Sequence, residues 1–406
     1  MLSLQVTQVR EASVVPFPAP ARPVDELAKQ LQPRVLLSPP HLAGHELASV
    51  QATLEAGWVA PAGPVPLAFE KSIAAATGLP HVVAVASGTA ALHLGYRILG
   101  VQPGDEIWTS GLTFIASIGP AVQMGAIPRF LDVTADNWTM DVELLRSELS
   151  AAARRGRLPR AVVPVDLYGQ PADMPAIVQA CEEWGVPVLS DSAESLGAMQ
   201  HGRHAGVGAR LVALSFNGNK IITAGGGGAL ASEDAALIAQ ARHLASQAKE
   251  TAAHYQHETT GFSYGMSSVL AAVGLAQIAV LEERVAARRA IHARYRDGLH
   301  DIPGISFIAE PNWSRSNRWL TAITLDPAEC GTDRETVRRE LAAQNIESRP
   351  VWKPLHLQPA FRDAPRAGGD VAAGLFQHGL CLPSGSNLAM PDQAKVIATI
   401  RRCCRI

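Results

Sequence analysis

No stretch of the 406-residue chain approaches the ~20 uninterrupted apolar residues that a membrane-spanning helix requires. Its first residues, MLSLQVTQVREASVV, interrupt any apolar core with Arg10 and Glu11, so the expectation is a chain without a signal peptide that works in the cytoplasm. Charge imbalance is also missing. The formal net charge of −2 gives no reason to expect nucleic acid or an anionic membrane as partner, and the short basic run RRGR at 154–157 reads as a solvated loop. The five cysteines (Cys181, Cys330, Cys381, Cys403, Cys404) are odd in number and show no CxxC spacing, which speaks against a disulfide framework or a zinc site. Close histidine pairs such as His201/His204 have no third ligand nearby in sequence, so no metal is expected.

What remains is an ordinary globular composition, 47% hydrophobic and 18% charged, with a mean hydropathy of +0.08 that owes much to alanine. Residues 1–35 contain VVPFPAPARP, a proline-rich stretch expected to be extended or poorly ordered. Beyond it, short apolar runs alternate with helical periodicity. The strand candidates are VVAVA (82–86), EIWTS (106–110), IPRFLDV (127–133), AVVPV (161–165), VPVLS (186–190), LVALSF (211–216) and GALAS (228–232). Continuous apolar strands separated by helices predict an α/β fold whose mainly parallel sheet is covered on both faces. A long charged helix is expected over roughly 269–298, and the remainder reads as a smaller α+β domain. The expected division is a large domain over 36–285 and a small one over 286–406.

In such a sheet, ligands bind beyond the carboxyl ends of the strands, and three segments there carry chemistry. SGTAALHLG follows VVAVA: Ser87, Gly88 and Thr89 open a helix whose N–H groups can either be capped locally or hold an anion. SDSAESLGA follows VPVL and places Asp191 and Glu194 at a strand end; an acid there can cap a helix, ligate a metal or pair with a cationic ring nitrogen. SFNGNKIITAGGGG follows the next strand. Its Lys220 has no charged company, and the glycines come after it, which rules out the GxxxxGK[ST] phosphate loop. An anion nest, a carboxylate and an isolated amine, flanked by Ser215 and Asn217, are what pyridoxal 5′-phosphate requires: a phosphate site, an acid for the pyridine nitrogen and a lysine for the Schiff base. Such a lysine must lose its charge to attack a carbonyl. Phe114, in TSGLTFIAS, either stacks on the ring or belongs to the core. A Rossmann dehydrogenase is disfavoured, since AGVGARL at 205–211 lacks the third glycine of GxGxxG and precedes a strand.

These segments, with PPHLAGHE, GWVAPAGP, GVQPGDEIWTSGLTFIAS, PVDLYGQPADM, RPVWKPLHLQPAF and GLCLPSGS, resemble the DegT/StrS-type sugar-nucleotide aminotransferases, a branch of the fold type I pyridoxal phosphate enzymes. The likeness runs from about Ser38 to the C-terminus. It implies a large, mainly parallel seven-stranded sheet domain with a smaller α+β C-terminal domain. It also implies a homodimer with shared active sites. Lys220 would form the internal aldimine and shuttle the proton, Asp191 would pair with pyridine N1, and Glu194, a glutamine in many relatives, would lie near the ring hydroxyl. Phe114 would stack on the ring, while Gly88, Thr89 and Ser215 would hold the phosphate. Relatives with G-x-N-Y-R-M send the asparagine to the neighbouring subunit's cofactor phosphate; here the segment is GFSYGMSS, so Ser263 and Gly265 replace the asparagine and arginine. Ser263 can still donate one hydrogen bond, but Gly265 cannot replace a guanidinium.

On the same resemblance, FNGNKIIT with RPVWKPLHLQ points to amination of C4 in a UDP-linked 4-keto-6-deoxy-N-acetylhexosamine, with glutamate as donor; enzymes of GDP-linked perosamine are close neighbours. Trp352, Lys353 and His356 would then lie near the nucleotide sugar, unless Trp352 simply packs the small domain. Two other readings stay open: action at sugar C3, and a non-catalytic or regulatory homologue that binds cofactor or sugar nucleotide.

Overall fold

The large α/β part carries the strands β1 (His81–Val85), β2 (Glu106–Ser110), β3 (Ile127–Leu131), β4 (Ala161–Val163), β5 (Leu189–Asp191), β6 (Leu211–Ser215) and β7 (Gly228–Ser232). In the computed structural model, which describes residues 34–404, they lie in two ladders. One has the order β1-β7-β6-β5; the other has β3-β2-β4, with Arg366–Ala367 added at the outer edge of β3. The parallel bridges Val162↔Val188 and Val165↔Asp191 join β4 to β5 and so connect the ladders. β2 is parallel to β3 and β4, and β5 is parallel to β6. β7 alone runs against both neighbours, β1 and β6. The cause is local: no helix lies between Ser215 and Gly228, and a parallel return needs a crossover.

Both faces of the sheet are covered, because the strands are apolar on both sides. Val82 and Ala84 of β1 pack in one core with Phe69, Trp108, Leu149, Ile177 and Phe216. Val83 and Val85 point the other way, into a core with Leu92, Tyr96, Phe130 and Leu230. This alternation is the two-residue period of an extended strand.

The C-terminal part has a third core around its own antiparallel sheet of β8 (Ile305–Phe307), β9 (Thr321–Leu325), β10 (Arg349–Pro350) and β11 (Gly379–Leu382), in the order β8-β9-β11-β10. From Val35 onward the chain clusters as one compact unit, and the expected boundary at 285/286 falls inside the helix Leu281–Leu299. Apart from Arg34 and Val35, the expectation for residues 1–35 lies outside the described residues. Val35 forms a parallel bridge with Ile346.

The single helix expected over 269–298 is two helices, Ser268–Ile278 and Leu281–Leu299. Val280 leaves the helical region at φ −108°, ψ 15°. The apolar first helix packs on Glu46–Glu55 and Pro64–Thr77, whereas the charged second helix packs on Met390–Cys403. The break lets each follow its own partner.

Gly228, the last of the four glycines after Lys220, has a steric role. A Cβ on Gly228 would lie 2.5 Å from the Gly88 nitrogen, so only glycine lets β7 meet the start of the helix Gly88–Ile98. Gly88 in turn would bring a Cβ to 3.0 Å from Cβ of Ser215. Gly228→Ala should therefore cost about 1–3 kcal/mol through overpacking against backbone, read as a lower urea midpoint. An unchanged midpoint would show that this contact is not a constraint.

Candidate active site

The carboxyl ends of β1, β5 and β6 open on one cavity of about 800 Å³. Ser87, Gly88, Thr89, Phe114, Asp191, Glu194, Ser215, Asn217 and Lys220 all line it, as do Trp352 and Lys353. At the end of β1, Ser87 turns extended (φ −166°, ψ 162°) and its Oγ accepts from the Ala90 N–H at 3.0 Å. This cap fixes the first turn of the helix Gly88–Ile98, where N–H groups without intrahelical partners and the helix dipole favour an anion.

Asp191 ends β5 and is buried. Its carboxylate accepts from Ser117 Oγ at 2.6 Å and from the Ala193 N–H at 3.2 Å. Ser117 is itself held, since the Tyr96 hydroxyl donates to its carbonyl and its Oγ lies 2.7 Å from that of Thr113. Burial pushes the Asp191 carboxyl above its ordinary range; Ser117, Ala193 and the charge of Lys220 pull the other way. Among the described residues no cation forms an ion pair with Asp191, which leaves it free for a protonated ring nitrogen.

Glu194 is also buried. Oε2 accepts from the Tyr168 N–H at 2.8 Å and Oε1 lies 3.3 Å from Lys220 Nζ. Burial raises its carboxyl to about 7, against the opposing pull of Lys220 and the Tyr168 N–H. Lys220 sits in the loop after β6, with its N–H bonded to the Asn217 carbonyl. The carbonyl of its neighbour Asn219 accepts from both Ser38 Oγ and Trp319 Nε1, each at 2.7 Å. The Trp319 ring lies under the ammonium, 4.2 Å from Nζ. The amine is thus held by one acid, one aromatic face and a pinned backbone.

Two expected positions stand elsewhere. His356 does not line the cavity. The turn Leu355–Leu357 directs its ring inward against Gly111 and Gly369, where it is buried with Nε2 unpartnered. Ser263 is exposed and pairs by backbone with Ser246, away from this chain's own cavity. Gly265 bridges Val85, and a Cβ there would come within 2.8 Å of Pro61. The site also contains residues that sequence reading missed: Ser38, Ser117, Tyr168, Asn219, Trp319 and Arg349. Ser117 carried a faint signal, four residues after Thr113 in a segment beyond a strand end. Tyr168 carried none, because its N–H reaches Glu194 through a left-handed backbone (φ 54°) that a tyrosine rarely adopts.

An amine, a buried acid without an ion-pair partner among the described residues and a capped helix start, all lining one cavity, fit pyridoxal phosphate. Fold and site together define a fold type I pyridoxal phosphate aminotransferase. Comparison with known proteins agrees. The sequence model of the DegT/DnrJ/EryC1/StrS aminotransferase family matches residues 40–401. EpsN of Bacillus subtilis, whose name places it with pyridoxal phosphate-dependent aminotransferases, is 45% identical over 90% of this chain and 95% of its own. GDP-perosamine synthase of Caulobacter vibrioides is 32% identical over 91% of this chain and 98% of its own. A crystal structure of a DegT DnrJ EryC1 StrS aminotransferase from Brucella abortus is 31% identical, with a TM-score of 0.82 over 88% of this chain and 95% of that one. The chain belongs to the DegT/DnrJ/EryC1/StrS aminotransferase family.

The raised Glu194 carboxyl has a consequence for stability. A carboxyl with a higher folded than unfolded pKa stabilises the fold at low pH, and that contribution is lost as pH rises from about 4.5 through about 7. Relative to Glu194→Gln, the wild-type protein without cofactor should lose about 2–3 kcal/mol between pH 5 and pH 8. Urea titrations of both proteins at the two pH values test this; parallel pH profiles would refute it.

Proposed function

We propose that the protein moves an amino group from glutamate to C4 of a nucleotide-linked 4-keto-6-deoxy sugar, with a UDP-N-acetyl sugar favoured. The observation that carries the reading is Lys220, held between Glu194 and Trp319 in a cavity that also contains Asp191. Pyridoxal phosphate, when bound, supplies the electron sink that lets a C–H bond beside nitrogen break. Lys220 would anchor it through Nζ, and the same amine would be placed to hold and pass a proton at the substrate carbon. Asp191 would hold the ring nitrogen in its protonated form, and Glu194 would lie near the ring hydroxyl. Ser87, Gly88, Thr89, Ser215 and Asn217 would hold the phosphate, and Phe114 would cover the ring.

The cavity continues past the cofactor region to Arg349, Trp352, Lys353 and Phe376. Trp352 lies 5.7 Å from Phe114 between ring centroids, and Lys353 forms no ion pair among the described residues. Aromatic faces beside cationic groups suit a nucleotide base and its diphosphate. A GDP-linked sugar is a second reading, favoured by the likeness to GDP-perosamine synthase. Exposed Leu47, Leu54, Trp58, Val59 and Leu67 support a homodimer, in which Ser263 would serve the partner's site. The described cysteines are all free thiols, and no described helix is long and apolar enough to cross a membrane; both are compatible with a cytoplasmic enzyme.

Glutamate with a panel of UDP-, GDP- and dTDP-linked 4-keto sugars tests the reading, with products assigned by NMR. The expected result is one 4-amino sugar, lost by more than about 10³-fold in Lys220→Ala. Lys353→Ala should raise the KM for the nucleotide sugar about 10-fold while leaving the glutamate half-reaction unchanged. Absence of any amino sugar from wild-type protein, or full turnover in Lys220→Ala, would refute the assignment.

A further inference from the structure

Asp166, in the PVDLYGQPADM segment, has no part in the site as described so far. Its side chain is completely buried and, among the described residues, has no cationic partner. Instead Oδ2 accepts from two hydroxyls, Ser192 Oγ at 2.7 Å and Ser195 Oγ at 2.6 Å, and Oδ1 accepts from the Ala172 N–H at 2.9 Å. The two serines bracket Ala193 and Glu194. The backbone completes the grip: the Asp166 N–H donates to the Asp191 carbonyl at 3.1 Å, and the Asp191 N–H to Pro164 at 2.9 Å. Two residues further on, the Tyr168 N–H holds Glu194 Oε2. Segment 164–168 therefore touches Asp191, Ser192, Glu194 and Ser195 in turn.

A buried carboxylate without a countercharge is expensive. Burial raises its carboxyl to about 6, although Ser195, Ala172 and Ser192 all oppose the shift. A neutral side chain would avoid that cost, but it could not present acceptor oxygens on both sides. An asparagine must turn its NH₂ either to the two hydroxyls or to the Ala172 N–H, and so lose an acceptor on one of them.

We infer that Asp166 is a positioning residue whose buried carboxylate clamps the Asp191–Ser195 turn and thereby fixes the carboxylates of Asp191 and Glu194 relative to Lys220. The inference rests on the proposed aminotransferase reading of the site, and it assigns Asp166 no contact with substrate or cofactor. The clamp acts through Ser192 and Ser195, so removing their hydroxyls should mimic loss of the acid.

Two variants, Asp166→Asn and the Ser192→Ala/Ser195→Ala double, test it in the full-length protein. Each should weaken pyridoxal phosphate binding, followed by visible absorbance, and slow the glutamate half-reaction about 10- to 100-fold, with KM for glutamate changed less than about 3-fold. In the cofactor-free chain, Lys220 should be labelled faster by an amine-acylating reagent, because its contact with Glu194 loosens. A variant that only melts earlier, with wild-type cofactor affinity, half-reaction rate and Lys220 labelling, would overturn the inference; if Asp166→Asn does not fold, the double serine variant decides alone. Failure of wild-type protein to attach pyridoxal phosphate at Lys220 would instead refute the proposed function, and the labelling comparison would still decide the role of Asp166.

Discussion

The site depends on one constraint: neighbouring strands of the sheet run parallel at its centre, so their carboxyl ends arrive at the same edge. The pairing of Val165 with Asp191 joins the two ladders there, and the acid is part of the join itself. An acid built into a sheet junction cannot drift, because its backbone is hydrogen-bonded from below while its side chain is held by Ser117. The strand β7, antiparallel to both of its neighbours, follows from the same geometry. The chain must turn back at once to keep Lys220 at this edge, and the glycines let the returning strand pass beside the helix start.

Charge is distributed unusually around this edge. Asp166, Asp191 and Glu194 are all buried, and among the described residues only Glu194 of the three forms an ion pair. Hydroxyls and backbone N–H groups do the compensating elsewhere. This keeps the negative charge localised and rigid, since hydrogen bonds constrain direction where an ion pair constrains mainly distance. Arg288 is also buried, and it binds the Trp319 carbonyl and the Ser38 hydroxyl. Both of those residues hold the Asn219 carbonyl beside Lys220, so a fixed positive group supports the loop that carries the amine.

Much of this was legible in the sequence. β2 and β7 occupy the positions that apolar runs predicted, and the reactive side chains stand where such runs end, because a parallel sheet ties strand ends to the binding edge. Contacts made by distant loops were not legible. Trp319 reaches Lys220 from the C-terminal part, and no local periodicity announces such an approach. Tyr168 depends on a strained backbone, and Asp166 read only as one letter of a motif. His356 is close in the chain to Trp352 and Lys353, but it lies in the short turn Leu355–Leu357 with its ring against Gly111 and Gly369. The expected long helix failed at Val280, where packing partners change and periodicity alone is silent.

The contact between Gly265 and Pro61 limits what this molecule can become. With 2.8 Å between a hypothetical Cβ and the proline ring, and backbone pairing to Val85 on the other side, no larger residue fits while the segment from Trp58 to Pro64 keeps its course. An ancestor or descendant with arginine at this position would need a different path for that segment. Glycine at 265 is thus held in place by its neighbours: putting a guanidinium there means redesigning the loop first and the residue second.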